Sequence, residues 1–254
     1  MTEDQSKIEN LCSVIVPVYN EERTVANVIK NLIEVSDHFP LQIIVVESNS
    51  TDSTRIILKK LQSKYIFELI LQDSPKGKGS AFKAGLRYAR GNIISIVDGD
   101  NEYRVKDLLL LLDPITSNQS DFVLGNRHVK GVPMRTFPGH PIRTAYYNLG
   151  HELFTRFFNT LYRTKLRDPA TMWKVFKREF ILNYIFEGKR FDIDWEIMSL
   201  LTRRKARTLE VPIEYSSRGK EDGKKIRAFR DPVQWLYWII RFRLKKIQSM
   251  EGKN

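Results

Sequence analysis

Two aspartates separated by a single glycine, Asp98 and Asp100, directly follow an apolar segment of this 254-residue chain, and Glu102 comes two residues later. Carboxylates so close together repel one another when both are ionised and unpaired. A hard divalent cation relieves that repulsion, because it prefers oxygen ligands and can also bind substrate phosphates. The spacing therefore predicts a site for Mg²⁺ or Mn²⁺, with Asp98, Asp100 and Glu102 as ligands.

Two other polar segments also follow apolar runs, at residues 17–22 and 47–52. Each has an alternative explanation, because Asn20 and Asp52 are typical helix caps and acidic residues favour helix N-termini. Three carboxylate-rich segments that follow strands and lie at the same edge of the predicted sheet are harder to explain by capping alone. We therefore expect all three to contribute to one site.

A small, lysine-containing segment at residues 76–81 precedes a predicted helix. Small residues and lysines at a helix N-terminus can approach a phosphate group. The segment has neither the P-loop pattern nor the glycine spacing of a dinucleotide-binding turn after the first strand. A nucleoside triphosphatase or a dinucleotide-dependent enzyme is therefore disfavoured.

The elements that must position these residues alternate between short apolar strands and amphipathic helices. The strands are continuously apolar, which is typical of a parallel sheet covered by helices on both faces. The pattern predicts an α/β fold with a doubly wound, mostly parallel sheet, whose ligands bind beyond the carboxyl ends of the strands. The predicted strands are 13–19, 41–47, 67–72, 92–98 and 121–125, and the helices run from Asn20 to Val35 and over 52–63, 79–89 and 105–112.

The pattern changes beyond residue 130, where Pro133, Pro138 and Pro141 predict a loop. A long helix over 142–162 follows, with an aromatic side that either lines an acceptor groove or packs against the sheet. The remaining predicted elements are strands at 171–176 and 208–215 and helices at 194–204 and 232–247.

Composition limits the classes of function. The single cysteine, Cys12, opens an apolar run and is interpreted as a buried small hydrophobic residue in a reducing compartment. The first ten residues are not an apolar secretion signal, and no run of about 18 apolar residues predicts a membrane span. Residues 201–254 hold 15 lysines and arginines against 6 acidic residues, within a net charge of +12. This excess predicts an anionic partner: a nucleic acid, a phosphorylated substrate or an acidic lipid surface.

Taken together, the segments at residues 17–21, 76–85 and 98–100 resemble the family 2 glycosyltransferases of the GT-A fold, over roughly residues 11–240. The resemblance implies a GT-A domain over 11–230, with a nucleotide-sugar-binding half (11–127) and an acceptor half (128–230). It leaves 231–254 as an amphipathic, basic helix. The donor-binding residues implied are Pro17, Tyr19, Asn20, Glu21, Glu47, Asn49, Lys78, Asp98, Gly99 and Asp100.

The later motifs are similar to one subgroup, the dolichyl- and polyprenyl-phosphate sugar synthases. They are Gly125-Asn126-Arg127, Asp168-Pro169-Ala170-Thr171 leading into Lys174-Val175-Phe176, and Val211–Tyr215 followed by Arg218 and residues 221–226. The resemblance implies Arg127, Arg218, Lys224 and Lys225 as phosphate- and acceptor-binding residues. It also implies Asp100, Asp168 and Arg218 as catalytic residues.

Three features depart from the family pattern. Glu47-Ser48-Asn49 stands where two aspartates and a glycine or serine are usual, which leaves UDP and GDP open as the donor nucleotide. Met172-Trp173 replaces a small-then-aromatic pair. Many relatives also have C-terminal membrane helices, and none is expected in this chain.

The chemistry that follows is direct displacement with inversion at the sugar carbon. An anionic polyprenyl phosphate needs no general base as acceptor, whereas a glycan or glycolipid hydroxyl does. The candidate bases are Asp168, Asp194 and Glu196, with Asp168 first because the family motif places it near the acceptor.

Localisation follows from the last helix, in which the aromatic and aliphatic residues 235–240 precede four basic residues within 241–246. That order suits an interfacial helix on anionic lipid, and we expect a peripheral enzyme at the cytoplasmic, inner face of a membrane. Packing in the core, in a homo-oligomer or against a membrane-anchored subunit explains the same residues.

Two other classes of protein fit the sequence less well. A nucleic-acid-binding module lacks a helix-turn-helix, zinc-finger or RNP pattern, so no nucleic-acid partner is expected. A nucleotidyltransferase typically has a glycine-rich loop after its first strand, where this chain has Pro17-Val18-Tyr19-Asn20.

Overall fold

The computed structural model describes residues 10–128, 134–137, 139–217 and 230–247. Within them lie seven strands: β1 (Cys12–Val18), β2 (Leu41–Glu47), β3 (Glu68–Leu71), β4 (Ile93–Ile96), β5 (Phe122–Asn126), β6 (Lys174–Lys177) and β7 (Thr208–Pro212). The α-helices are α1 (Val25–Ser36), α2 (Thr54–Gln62), α3 (Lys78–Leu86), α4 (Leu108–Thr116), α5 (Pro141–Tyr162), α6 (Asp192–Arg203) and α7 (Arg230–Leu244).

The strands form one sheet in the order β3-β2-β1-β4-β6-β5-β7. All neighbouring pairs are parallel except the two that involve β6, which runs antiparallel between β4 and β5. Ile94 and Phe122 both lie opposite Phe176. The predicted α/β fold with a mostly parallel sheet is confirmed, and β6 and β7 of the C-terminal half complete the same sheet.

Helices cover both faces of the sheet, as the apolar strands predict. Alternate residues of β1 point to opposite faces: Val14 and Val16 pack in a core with α1, α2 and α4. Ile15 packs in a second core with α3, α5, α6 and α7. Cys12 is a buried, free thiol within the first core, in agreement with its interpretation as a small hydrophobic residue.

The structure corrects several predicted boundaries. Asn20 does not cap the first helix, which begins at Val25 after Thr24. Instead Asn20 has a positive φ of 51°, and its amide bonds to Thr51 in the next loop. The predicted strand 171–176 begins only at Lys174 and continues to Lys177.

Candidate functional site

The carboxyl ends of β1, β2 and β4 meet at one edge of the sheet, because these three strands are adjacent and parallel. The hydroxyl of Thr24 donates to the carbonyl of Gly99 over 2.8 Å and to the carboxylate of Glu21 over 3.2 Å. The backbone N–H of Ser48 donates to the carbonyl of Val18. Three of the polar segments singled out in the sequence are therefore physically joined.

Lys78, at the start of α3, supplies a buried cation to this edge. Its Nζ lies 2.7 Å from Oδ1 of Asp98 and 3.5 Å from Oδ2 of Asp194, and its side chain is 8% exposed. Burial opposes the charged ammonium, but the carboxylates of Asp194 and Asp98 outweigh it, so the pKa of Lys78 is raised. Lys78, from the lysine-containing segment at residues 76–81, thus contacts Asp98, the first aspartate of the predicted metal site.

Close approach of the backbone places Lys78 there. A Cβ on Gly79 would lie 2.6 Å from the carbonyl oxygen of Gly188, and Gly77 has a φ of 90°, which favours glycine. The two glycines let the first turn of α3 pack directly against the segment that precedes α6. They therefore bring Lys78 within reach of both Asp98 and Asp194.

The other predicted metal ligands lie just beyond β4. Oδ1 of Asp100 accepts a hydrogen bond from the N–H of Glu102, and Oε2 of Glu102 accepts one from the hydroxyl of Tyr215 over 3.0 Å. The carboxylates of Asp98 and Asp100 have the hard oxygen donors that Mg²⁺ and Mn²⁺ require. Asp98 already accommodates a cation at 2.7 Å, so its surroundings fit a positive charge. Glu102 is turned toward Tyr215, and within the described residues it does not complete a three-ligand cluster.

The predicted donor-binding residues of the first two loops mostly hold each other in place. The backbone N–H of Asn20 donates to Ser50. Glu47 is fully buried, accepts the N–H of Ser50 over 2.6 Å and pairs with Arg55 at 2.5 Å. Asn49 takes a positive φ of 58° in this turn. Glu47 therefore shapes the loop, while Pro17 and Tyr19 lie on the adjoining end of β1.

Arg127 and Asp168 form a buried, two-pronged ion pair beneath the same edge. Nε and Nη2 of Arg127 each lie 2.8 Å from a carboxylate oxygen of Asp168, and the guanidinium also stacks over the ring of Tyr215. Burial would raise the pKa of Asp168, but Arg127 overcomes it and holds that pKa well below its usual range. Both predicted residues are thus brought together, with each as the other's partner.

The other candidate bases are also enclosed. Glu196 is fully buried and accepts hydrogen bonds from Tyr184, Glu187 and Gly188. Asp194 is 4% exposed, and burial raises its pKa despite the neighbouring Lys78. None of the three side chains predicted to accept a proton faces solvent.

An open cleft of about 750 Å³ borders this edge, lined by Asn101, Glu102, Arg104, Lys106, Arg127 and Tyr215 among others. Its walls combine three basic side chains with two acidic ones, Glu102 and Glu214, and this small basic excess suits an anionic ligand. Arg218, Lys224 and Lys225 follow Tyr215 in the sequence and lie outside the described residues, as do Pro133 and Pro138.

Sequence reasoning missed three residues near the site. Lys174 is fully buried at the start of β6, where burial lowers its pKa to about 8. His128 and His151 face each other across 2.9 Å between their Nε2 atoms. Lys174 belongs to a segment with family resemblance, but that resemblance gave it no role, and 23 residues separate the two histidines, so only the fold reveals what these side chains contact.

Exposed apolar side chains lie on α5 and α7. On α5 they are spaced along one face, at Ile142, Tyr146, Leu149 and Leu153. On α7, Ile239 and Phe242 enter the core, whereas Tyr237, Ile240 and Leu244 stay exposed. Core packing therefore accounts for one face of α7, and membrane binding by the exposed face stays a prediction. None of the helices in the described part of the chain has the length and apolar content needed to cross a bilayer.

Comparison with known proteins adds independent evidence. Residues 13–183 match the family model described as Glycosyl transferase family 2. The dolichol-phosphate mannosyltransferase of Pyrococcus furiosus is 26% identical over 231 residues, which cover 91% of this chain and 64% of that protein. This chain therefore spans slightly less than two thirds of that relative's length.

A second relative is the UDP-N-acetylglucosamine–dolichyl-phosphate N-acetylglucosaminyltransferase of Methanococcus voltae, 27% identical over 81% of this chain and 86% of that protein. Among solved structures, the glucosyl-3-phosphoglycerate synthase of Mycobacterium tuberculosis, in complex with Mn²⁺, UDP and phosphoglyceric acid, superposes with a TM-score of 0.68 at 17% identity. That match covers 96% of this chain and 82% of the other, and it shows a shared fold. The same enzyme has also been crystallised with Mg²⁺ and UDP.

Proposed function

Because this chain belongs to glycosyl transferase family 2, and is therefore a glycosyltransferase, we propose that it transfers a hexose from a UDP- or GDP-sugar to a polyprenyl phosphate, such as a dolichyl or undecaprenyl phosphate. The relatives named for dolichyl-phosphate acceptors support this choice of acceptor. The reaction is a displacement with inversion: a phosphate oxygen of the acceptor bonds to the anomeric carbon as the sugar–diphosphate bond breaks.

The choice of a phosphate acceptor rests on one observation, which is that all three candidate bases are buried and already have partners. Asp168 is held by Arg127, Glu196 accepts three donors, and Asp194 faces Lys78. A hydroxyl acceptor must lose a proton to a base that can reach it. A phosphate monoester is already largely anionic at neutral pH and attacks without one. The buried carboxylates therefore favour a phosphate acceptor.

The donor diphosphate is proposed to lie at the carboxyl edge of β1, β2 and β4. Asp98 and Asp100 would hold Mg²⁺ or Mn²⁺ there, with Glu102 close by. When bound, such an ion supplies positive charge to the leaving diphosphate. Lys78, paired with Asp98, orients that carboxylate. The loop built on Asn20 and Glu47 shapes the part of the edge proposed for the base and ribose.

Fixed positive charge on the acceptor side is assigned to Arg127 and to Arg218, Lys224 and Lys225. Arg127 borders the basic cleft, where its bond to Asp168 fixes the guanidinium in one orientation. Arginine suits two-pronged contacts with phosphate, and lysine acts as a point charge. We assign Asp168 a positioning role through Arg127.

The enzyme is proposed to work at the cytoplasmic face of a membrane, because its acceptor is a lipid. The exposed face of α7 combines Tyr237, Ile240 and Leu244 with Arg241 and Lys245. Apolar and basic side chains on one helix favour binding to anionic lipid. The exposed residues of α5 would extend this surface.

The test is a panel of UDP- and GDP-hexoses, each incubated with a short polyprenyl phosphate, with and without Mn²⁺ or Mg²⁺. We expect one donor to yield a metal-dependent sugar-phosphate lipid of inverted configuration, with release of the nucleoside diphosphate. Formation of an acid-stable glycoside on a glycan or glycolipid hydroxyl would show that the acceptor is a hydroxyl and not a phosphate. Retained configuration would contradict direct displacement.

A further inference from the structure

Two histidines and an aspartate from three different elements converge below the cleft. His128 follows β5, His151 lies within α5, and Asp168 precedes β6. The two Nε2 atoms are 2.9 Å apart, and Nε2 of His151 lies 3.6 Å from Oδ1 of Asp168. One potential ligand atom from each residue lies within 4.8 Å of the others, and within the described residues this is the one such cluster of three.

The donor set is that of a transition-metal site. Zinc commonly binds imidazole nitrogens and a carboxylate oxygen at about 2.0–2.2 Å, with three protein ligands and one open position. Two nitrogens on one tetrahedral zinc lie about 3.3 Å apart, as follows from those bond lengths. The observed 2.9 Å between His128 and His151 is therefore a few tenths of an ångström short of the required separation.

The contact between the two rings also bears on metal binding, which requires an unprotonated nitrogen on each histidine. At 2.9 Å the two Nε2 atoms are within hydrogen-bond distance, so an N–H···N bond between the rings occupies both of them. If the donor ring moves its proton to Nδ1, both Nε2 lone pairs become available without net loss of a proton.

Arg127 has two opposite effects on this cluster. It keeps Asp168 ionised and fixes the carboxylate, as an outer-shell partner of a metal ligand does. Its charge, together with that of Arg135, also repels a cation, since both arginines act on His151. The affinity should accordingly be lower than that of a site without cationic neighbours.

We propose that His128, His151 and Asp168 form a binding site for a transition-metal ion of the zinc type. This site uses neither Asp98 nor Asp100, whose oxygen ligands suit Mg²⁺ or Mn²⁺. A bound ion would tie the end of β5 to the middle of α5, across residues 129–140. The proposal does not depend on the acceptor assigned above.

The experiment titrates metal-free, untagged protein with Co²⁺ in the presence of excess Mg²⁺ and follows visible absorption, and then displaces Co²⁺ with Zn²⁺. We expect one Co²⁺ per chain, a visible band and a higher melting temperature with Zn²⁺. His128→Asn and His151→Asn should weaken binding at least 10-fold. The exposed histidines give matched controls, and His38→Asn and His140→Asn should bind as the wild type does.

Circular dichroism and the metal-free melting temperature establish that each variant is folded before the titrations are compared. Absence of stoichiometric Co²⁺ or Zn²⁺ binding would overturn the proposal and leave the histidines as a hydrogen-bonded pair. Binding by the His128→Asn and His151→Asn variants that is as tight as that of the wild type would also overturn it. Asp100→Asn should retain the Co²⁺ band. Loss of the band in this variant would show that Co²⁺ binds at the carboxylate edge, and it would refute the histidine site.

Discussion

The ammonium of Lys78 lies 2.7 Å from the carboxylate of Asp98, at the point where β4 delivers the first of its two aspartates. Lys78 is also 3.5 Å from Asp194, so one buried cation is shared by two carboxylates from different elements. A divalent ion bound by Asp98 must share that carboxylate with Lys78. When such an ion binds, Asp194 offers Lys78 an alternative partner.

Replacement of Lys78 by methionine tests this competition. We expect Mn²⁺ to bind about 10-fold more tightly, equivalent to about 1.4 kcal/mol, because a competing cation is gone. Without metal the variant should lose about 3 kcal/mol of unfolding free energy, since two buried carboxylates lose their partner. Mn²⁺ titration by calorimetry and urea unfolding measure the two effects, and Lys76→Met is the exposed control. Weaker Mn²⁺ binding would show that Lys78 assists the metal instead of competing with it.

Asp100→Asn addresses catalysis. If Asp100 binds the ion that stabilises the leaving diphosphate, kcat should fall about 100-fold or more, because a charge contact made in the transition state is lost. The melting temperature should change little. Steady-state rates over a range of Mn²⁺ concentrations provide the measurement, with the exposed Asp37→Asn as control. Wild-type turnover in the variant would remove the metal site from the proposed mechanism.

Asp168→Asn should destabilise the fold by about 3–5 kcal/mol at pH 7, because Arg127 stays buried without its charged partner. The folded-state pKa of Asp168 is lowered, so its stabilisation is present above the unfolded value of about 3.9 and is lost as the pH falls below it. The difference in unfolding free energy between wild type and variant should therefore narrow from pH 5 to pH 3. Urea unfolding at each pH measures this difference, and a difference that does not depend on pH would contradict the ion pair.

Gly79→Ala should lower the unfolding free energy by about 1–3 kcal/mol, because the new Cβ would lie 2.6 Å from the carbonyl oxygen of Gly188. Gly150 provides the matched control within α5, where a Cβ meets nothing within 4 Å. Gly150→Ala should stabilise by roughly 0.5–1 kcal/mol through helix propensity. Thermal unfolding compares the two, and equal effects would show that the contact at Gly79 is unimportant.

Membrane binding is tested on α7. The double change Ile240→Asp and Leu244→Asp should abolish flotation with vesicles that contain anionic lipid, because it places charge on the exposed apolar face. Ile66→Asp is the control, at a side chain that is 96% exposed on another part of the surface. Flotation of the wild type that does not depend on anionic lipid would argue against an electrostatic contribution from α7.

Much of the fold could be predicted from the sequence because buried parallel strands are continuously apolar. β2 has the predicted limits, Leu41–Glu47, and the other strands of the first half differ from prediction by a few residues at most. The position of β6 could not be predicted, since no local pattern says that Lys174–Lys177 enters antiparallel between β4 and β5.

The same distinction applies to the site. The aspartates after β4 are separated by one residue in the sequence and could be identified from that spacing. The partners of Lys78 and Arg127 lie 20 to 116 residues away in the chain, so their ion pairs depend on tertiary packing. Asn20 shows that even a local prediction can fail, because Asn20 forms hydrogen bonds with Thr51 of the neighbouring loop instead of capping the first helix.

The antiparallel strand β6 also sets a minimum length for a shared ligand. Because β6 separates β4 from β5, the aspartates that follow one strand and the arginine that follows the other start about 10 Å apart, at twice the usual strand spacing. A lone phosphate is too short to touch both strand ends. An elongated molecule with charged groups at intervals can bridge the two strand ends.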